Sequence, residues 1–196
     1  MGEERKSARE RILETAGDLF YREGIRAVGV DTIIARSGVA KMSLYRNFAS
    51  KDDLVCAYLE AIGQAFWGWW DKVAARHPDD PKAQLKALFA SLSRWIESPN
   101  FRGCPFINTA VEFRDPDHPG RAIVIGHKQA VRARLRDLAE RAGAADPNRL
   151  AGHLQLLMEG AYVGGQTLAS EGTGESVASA ADALIEAACA SKRESP

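Results

Sequence analysis

The sequence lacks long apolar runs, closely spaced cysteines and an apolar segment near its first residue. A membrane-spanning helix needs about 18 or more apolar residues, and no run comes near that length, so we expect no membrane span. The start, MGEERKSARERILE, has no apolar core of a secretory signal. Cys56, Cys104 and Cys189 lie far apart without a CxxC pair, which is typical of reduced thiols in a cytoplasmic protein.

Motifs of the common enzyme classes are also absent. The sequence has no glycine-rich dinucleotide loop, no P-loop, no HExxH and no GxSxG. Its histidines and cysteines do not fall into metal-ligand spacing. We therefore predict a protein that is not an enzyme, with no catalytic residues, no metal and no cofactor.

Signals for β-strands are missing as well, whereas helical signals recur along the chain. There is no convincing period-two alternation and no Asn-Gly or Asp-Gly turn. Apolar residues recur at helical spacing instead, as in Ile12, Ala16 and Leu19. Asp80-Pro81 and Asp146-Pro147 are typical of an N-cap followed by the first helical residue. The pattern predicts an all-α protein with nine helices, at 7–23, 31–37, 42–48, 51–76, 81–97, 104–114, 119–142, 147–170 and 175–190.

Charge is balanced overall but not along the chain. The sequence has 26 Lys and Arg against 26 Asp and Glu, yet residues 1–51 hold ten cations and seven acids. No acid occurs between Asp31 and Asp52, where Arg36, Lys41 and Arg46 are found. This local excess indicates contact with a polyanion at one end of the protein, and a solvated basic surface is the alternative.

Residues 24–51 have the pattern of a helix-turn-helix. Two short predicted helices flank Gly38, which suits a left-handed C-cap. The apolar positions expected to pack onto helix 7–23 are Ile34, Ala35, Val39, Leu44 and Phe48. The exposed remainder of the second helix is a mixture of cations, hydroxyls and an amide, which suits phosphates and base edges.

Residues 9–55 resemble the DNA-binding domain of the TetR family of transcriptional repressors. The resemblance rests on ARERILETAGDLFYREG, IIARSGVAKMSLYRNF and the following SKDDLV. It implies an N-terminal three-helix DNA-binding domain at 1–50 and a helical ligand-binding and dimerisation domain at 51–196. It also implies a homodimer that places two recognition helices in successive major grooves of a near-palindromic operator.

The resemblance further implies a role for each matching position. Tyr45 and Lys51 match phosphate contacts, although Tyr45 could instead be a packing aromatic, and Asn47 replaces a common histidine and has an open role. Arg46 is the expected guanine contact, because a guanidinium can bridge O6 and N7. The remaining matches are backbone contacts at Thr32 and Ser43 and base contacts at Lys41 and Met42. The N-terminal cations Arg5, Lys6, Arg9 and Arg11 follow a phosphate strand or form a solubilising tail.

Large aromatics concentrate between residues 60 and 165, and they suggest an apolar pocket as well as a core. Trp67, Trp69 and Trp70 cannot share one face of a helix, because successive residues are about 100° apart. We expect a small hydrophobic or aromatic effector, held mainly by apolar groups with a few polar ones. The candidate ligand-binding residues are Phe66, Trp70, Trp95, Phe106, Asn108, Phe113, His127 and Tyr162.

Cys104 lies in RGCPFINTAVEF, beside Arg102 and before Pro105. A helix N-terminus and a nearby cation both favour a thiolate, so Cys104 is a candidate sensor of oxidants or electrophiles. The segment resembles a GC-x-x-x-N-x-x-x-E pattern found in some TetR-like proteins. The alternative is a small residue in a tight junction between loop and helix.

Small residues in the last two predicted helices favour close helix packing. Gly160, Gly164 and Gly165 precede an alanine-rich segment. Paired about a two-fold axis, these helices would form a four-helix dimer interface, although the glycine pair could instead kink its helix. The sequence therefore predicts a ligand-responsive DNA-binding repressor; the alternatives are a redox-sensing regulator acting through Cys104 and a helical binding protein without DNA function.

Overall fold

The computed structural model describes residues 6–168 and 172–190, and every regular element in these ranges is an α-helix. The helices are α1 (Ala8–Glu23), α2 (Val30–Ser37), α3 (Lys41–Asn47), α4 (Lys51–Ala74), α5 (Pro81–Ile96), α6 (Pro105–Glu112), α7 (Pro119–Arg141), α8 (Pro147–Thr167) and α9 (Thr173–Cys189). All nine predicted helices are confirmed. The predicted end of the eighth helix, at 169–170, lies outside the described residues.

Local capping signals account for several helix starts. Ser7 and Glu10 form a reciprocal capping box at the start of α1. Asp80 and Asp146 accept hydrogen bonds from the backbone N–H groups of Ala83 and Arg149, which confirms both predicted Asp-Pro starts. Each cap satisfies an N–H that has no partner within its helix.

The described residues divide into two compact units. One contains residues 6–64 and 105–125, and the other contains 65–104, 126–168 and 172–190. The division falls within α4 and within α7, and α6 belongs to the first unit. The functional division into domains 1–50 and 51–196 stays a prediction.

The core of the first unit joins α1, α2 and α3. Ile12, Phe20, Ile33 and Leu44 are all at most 3% exposed. The packing face predicted for α2 was partly wrong, since Ala35 is exposed and Ile34 only half-buried, whereas Ile33 and Ser37 are buried. A helix of eight residues with adjacent isoleucines leaves its rotation open, and contact with α1 fixes it.

The described N-terminal cations have partners within the protein. Arg11 donates to the carbonyls of Ser37 and Gly38, at 2.6 and 2.8 Å, and so closes the C-terminal end of α2. Lys6 pairs with Glu14 at 2.7 Å, and the guanidinium of Arg9 lies 5.1 Å from the ring centre of Phe48. Arg5 lies outside the described residues.

In the second unit, α5, α8 and α9 pack together around buried apolar side chains. Leu85, Leu92, Leu154 and Ile185 are all at most 1% exposed. At the surface, Glu186 of α9 accepts hydrogen bonds from lysines of α5, which hold its pKa down at about 2. None of the described helices is long and apolar enough to cross a membrane.

Candidate nucleic-acid interface and ligand site

The turn between α2 and α3 sets the orientation of α3. Gly38 adopts a left-handed backbone with φ of 64°, and its N–H donates to the carbonyl of Ile34. Leu44 and Phe48 are buried at 1% and 4% exposure. Met42 and Tyr45, on the remaining face, are 66% and 46% exposed. The short helix thus presents its polar side to solvent, and Tyr45 is not a buried packing aromatic.

The other predicted DNA contacts lie around this face and differ in their exposure and in their partners within the protein. Thr32, Lys41 and Arg46 are exposed. Lys41 pairs with Asp31 of α2 at 3.3 Å across a solvated surface, a contact that is weak enough to exchange for DNA. The amide of half-buried Asn47 donates to the carbonyl of half-buried Ser43, its own neighbour on α3.

Lys51 lies at the first residue of α4, and its side chain is partly buried. Burial lowers the pKa of its ammonium below the usual range, whereas the negative charges of Glu112 and Asp52 act in the opposite direction. Lys51 is therefore a partly buried cation rather than a fully solvated one.

Sequence reasoning missed the partners that α6 and the following loop supply to this unit. The carboxylate of Glu112 accepts hydrogen bonds from the backbone N–H groups of Ile25 and Arg26, at 3.0 and 2.7 Å. Nδ1 of His118 accepts from the N–H of Gly120, and its Nε2 lies 3.5 Å from a carboxylate oxygen of Asp52. Glu112 is the final residue of the GC-x-x-x-N-x-x-x-E pattern, which was the one available signal for it.

The predicted ligand residues are distributed over both units. Phe106, Asn108 and Phe113 belong to the first unit, and Phe113 stacks on His118 with ring centres 3.9 Å apart. Trp95 is 44% exposed and contacts Phe101, which in turn stacks on Tyr162. The predicted set as a whole stays a prediction.

An aromatic cluster in the second unit brings three of the predicted ligand residues together. We define the α4 cluster as Phe66, Trp67 and Trp70 of α4 with His127 of α7. The ring centre of Phe66 lies 4.9 Å from that of His127 and 6.0 Å from that of Trp70. Burial, and secondarily the charge of Lys128, lower the pKa of His127 to about 4. At neutral pH the cluster therefore presents an uncharged imidazole among aromatic rings.

Cys104 is buried, and the cation beside it differs from the one expected. Arg102 donates to the carbonyls of Pro99 and Phe101. Lys128 instead approaches Cys104, with its Nζ 3.6 Å from the sulfur, and also pairs with Glu159 at 2.8 Å. The sequence could not show this contact, because Lys128 is 24 residues away on α7.

The small residues of α8 have different environments. A Cβ on Gly165 would come within 2.8 Å of the ring of Phe101, so this glycine allows close packing inside the unit. A Cβ on Gly160 would meet nothing within 4 Å. Leu156 and Val163, one turn to either side of Gly160, are 71% and 45% exposed. The helix continues through the glycine pair to Thr167.

Comparisons with known proteins cover both parts of the chain. A family model described as "Bacterial regulatory proteins, tetR family" matches residues 12–58, and "Tetracyclin repressor-like, C-terminal domain" matches residues 81–184. The crystal structure of SCO4454, a TetR-family transcriptional regulator from Streptomyces coelicolor, shares 33% identity and a TM-score of 0.89, covering 93% of this chain and 96% of that one.

Curated relatives agree with these matches. The HTH-type transcriptional regulator YjdC of Escherichia coli is 23% identical over 152 residues, covering 78% of this chain and 80% of its own. The HTH-type transcriptional repressor KstR2 of Mycobacterium tuberculosis is 33% identical over 97 residues, covering 46% of this chain and 45% of its own. Together with the exposed polar face of α3, the matches show that the chain belongs to the TetR family of bacterial transcriptional regulators and is not an enzyme.

Proposed function

We propose that the protein acts in the cytoplasm as a homodimeric repressor that leaves its operator when a small hydrophobic or aromatic effector binds. The exposed polar face of α3, opposite buried Leu44 and Phe48, is the observation that carries the DNA-binding part of this proposal. A helical binding protein without DNA function has no need for such a face. In this proposal Arg46 contacts guanine and Lys51 contacts phosphate.

The dimer interface is proposed to centre on the exposed face of α8. Leu156, Gly160 and Val163 recur at i, i+4 and i+7 and form an apolar strip with no Cβ at its centre. An isologous contact about a two-fold axis would bury this strip against its own copy. Two copies of α3 would then meet half-sites about 34–36 Å apart, one turn of the duplex.

The α4 cluster is proposed as the effector site. Its rings favour a planar apolar molecule, since offset and edge-to-face aromatic contacts have suitable partners there. Neutral His127 adds a polar group to the cluster without adding a charge. Release from DNA follows if the effector binds more tightly to a conformation that does not fit the operator.

Sensing through Cys104 is the second candidate, favoured by the approach of Lys128 to its sulfur. Nζ of Lys128 lies 3.6 Å from the sulfur, and reactive cysteines are found beside cations. Glu159 pairs with the same lysine, so modification of the sulfur would change the strength of the ion pair between Lys128 and Glu159. Such a sensor requires no aromatic effector.

The Arg46→Ala variant should lose about 1–3 kcal/mol of specific operator binding with relaxed base preference at one position. Lys51→Ala should weaken binding to all sequences alike and reduce the slope of log K against log salt by about one. Fluorescence anisotropy over a salt series, on a duplex selected from a random library, measures both effects. Wild-type affinity in both variants would refute these contact assignments.

The Leu156→Arg variant should convert the dimer to monomers, because the strip cannot bury an unpaired guanidinium. We expect the dimer dissociation constant to rise by roughly 100-fold or more. Light scattering coupled to size exclusion measures the change. Ile125→Arg, at an apolar residue of α7 that is 51% exposed, is the matched control and should leave the mass unchanged. Dimers that persist in Leu156→Arg would place the interface elsewhere.

An aromatic effector found in a thermal-shift screen should quench or shift the tryptophan emission of the α4 cluster. The protein has four tryptophans, and the Trp95→Phe variant keeps only the three on α4, which are Trp67, Trp69 and Trp70. The emission change should persist in Trp95→Phe with unchanged affinity, and Phe66→Ala should weaken binding roughly tenfold. Loss of the response in Trp95→Phe would move the site to Trp95.

Under the Cys104 candidate, N-ethylmaleimide should release wild-type protein from its operator. Cys104→Ser should abolish this release and still bind DNA. Lys128→Met should slow alkylation of Cys104 several-fold, measured by mass spectrometry of the tryptic peptides, because the sulfur loses its adjacent cation. Release that continues in Cys104→Ser would assign the effect to Cys56 or Cys189 and remove the candidate.

A further inference from the structure

The turn between α1 and α2 is closed by a side chain from a distant part of the sequence. Glu112, the last residue of α6, accepts the N–H of Ile25 with one carboxylate oxygen and the N–H of Arg26 with the other. Both bonds are charge-assisted, so they exceed an ordinary hydrogen bond in strength. The carboxylate thus satisfies two backbone N–H groups that carbonyl oxygens would satisfy in a regular helix.

The turn is shaped to receive this carboxylate. Gly24 has a φ of 89°, a conformation that side chains rarely adopt, and a Cβ there would lie 3.4 Å from an oxygen of Glu112. The guanidinium of Arg26 lies 6.0 Å from the ring centre of Phe113, the next residue of the same segment. We call Glu112, Phe113 and the backbone of 24–26 the α6 clamp.

We propose that Glu112 is a positioning residue for DNA recognition, which fixes the start of the helix-turn-helix through the α6 clamp. The chain runs from the clamp directly into α2 and then into α3, with short turns at 24–29 and 38–40. The clamp therefore sets the position at which the helix-turn-helix begins. This inference rests on the proposed function, because it concerns operator binding.

Electrostatics alone makes the opposite prediction for this residue. Glu112 contributes a negative charge close enough to act on Lys51, a predicted phosphate contact. Removing that charge should strengthen binding to DNA if charge were its only effect. A loss of affinity on removal therefore separates positioning from charge.

The experiment compares wild type with Glu112→Gln and Glu112→Ala on the selected operator. Glu112→Gln keeps one acceptor oxygen but places an NH₂ group against the second backbone N–H, so operator affinity should fall roughly tenfold. Glu112→Ala should lose at least as much. The slope of log K against log salt should stay that of wild type, since a carboxylate does not neutralise a phosphate.

Two controls separate this effect from charge and from general instability. Asp117→Asn removes an exposed carboxylate from the same segment and should bind as tightly as wild type or slightly more tightly. Ile185→Val lowers stability through the buried core of α9 and should bind normally at temperatures where it is folded. Hydrogen exchange at the amides of Ile25 and Arg26 should accelerate in both Glu112 variants and in neither control.

The outcomes distinguish positioning from the alternatives. Weaker operator binding together with faster exchange at Ile25 and Arg26 supports the positioning role. Unchanged or tighter binding by Glu112→Gln overturns it, as does weaker binding with unchanged exchange at those two amides. If wild type binds no duplex from the library, the DNA-binding proposal fails and the role of Glu112 fails with it. If wild type binds and only the Glu112 prediction fails, the DNA-binding proposal stands without the positioning role.

Discussion

The burial of Leu44 and Phe48 against α1 is the constraint on which DNA recognition by this protein depends. Residues on a helix turn by about 100° each, so burying Leu44 directs Met42, Tyr45 and Arg46 outward. The contacts that stabilise the fold are thus the same ones that aim the polar groups. A helix of seven residues has little stability of its own, and packing supplies nearly all of it.

Helix positions could be predicted from the sequence because their signals are local. Asp80 and Asp146 cap their helices through N–H groups only three residues away, and such contacts are visible in the sequence itself. The packing face of α2 was harder to predict from the sequence. Periodicity over eight residues does not distinguish Ile33 from Ile34, and the choice depends on contact with α1.

The same distinction applies to the candidate sites. The residues proposed to contact DNA lie mostly within a continuous stretch, and the family resemblance assigns them position by position. Glu112 contacts a backbone N–H that is 87 residues away, and Lys128 contacts a sulfur 24 residues away. The periodicity of a sequence carries no information about such distant pairs. The aromatic residues predicted as one ligand set lie in two units, because aromatic side chains contribute to the core of each unit.

The cations of the first unit differ in how far they are available to contact DNA. Arg11 closes α2 and Lys6 pairs with Glu14, so these two positive charges are already engaged within the protein, whereas the weak pair between Lys41 and Asp31 can exchange for DNA. Non-specific affinity grows with the number of phosphates that cations neutralise. The cations that are committed internally contribute little to this term. In the proposed homodimer, discrimination then falls on base contacts such as that proposed for Arg46. Engagement of both half-sites at once strengthens binding there, because linkage raises the effective concentration of the second subunit's helix-turn-helix.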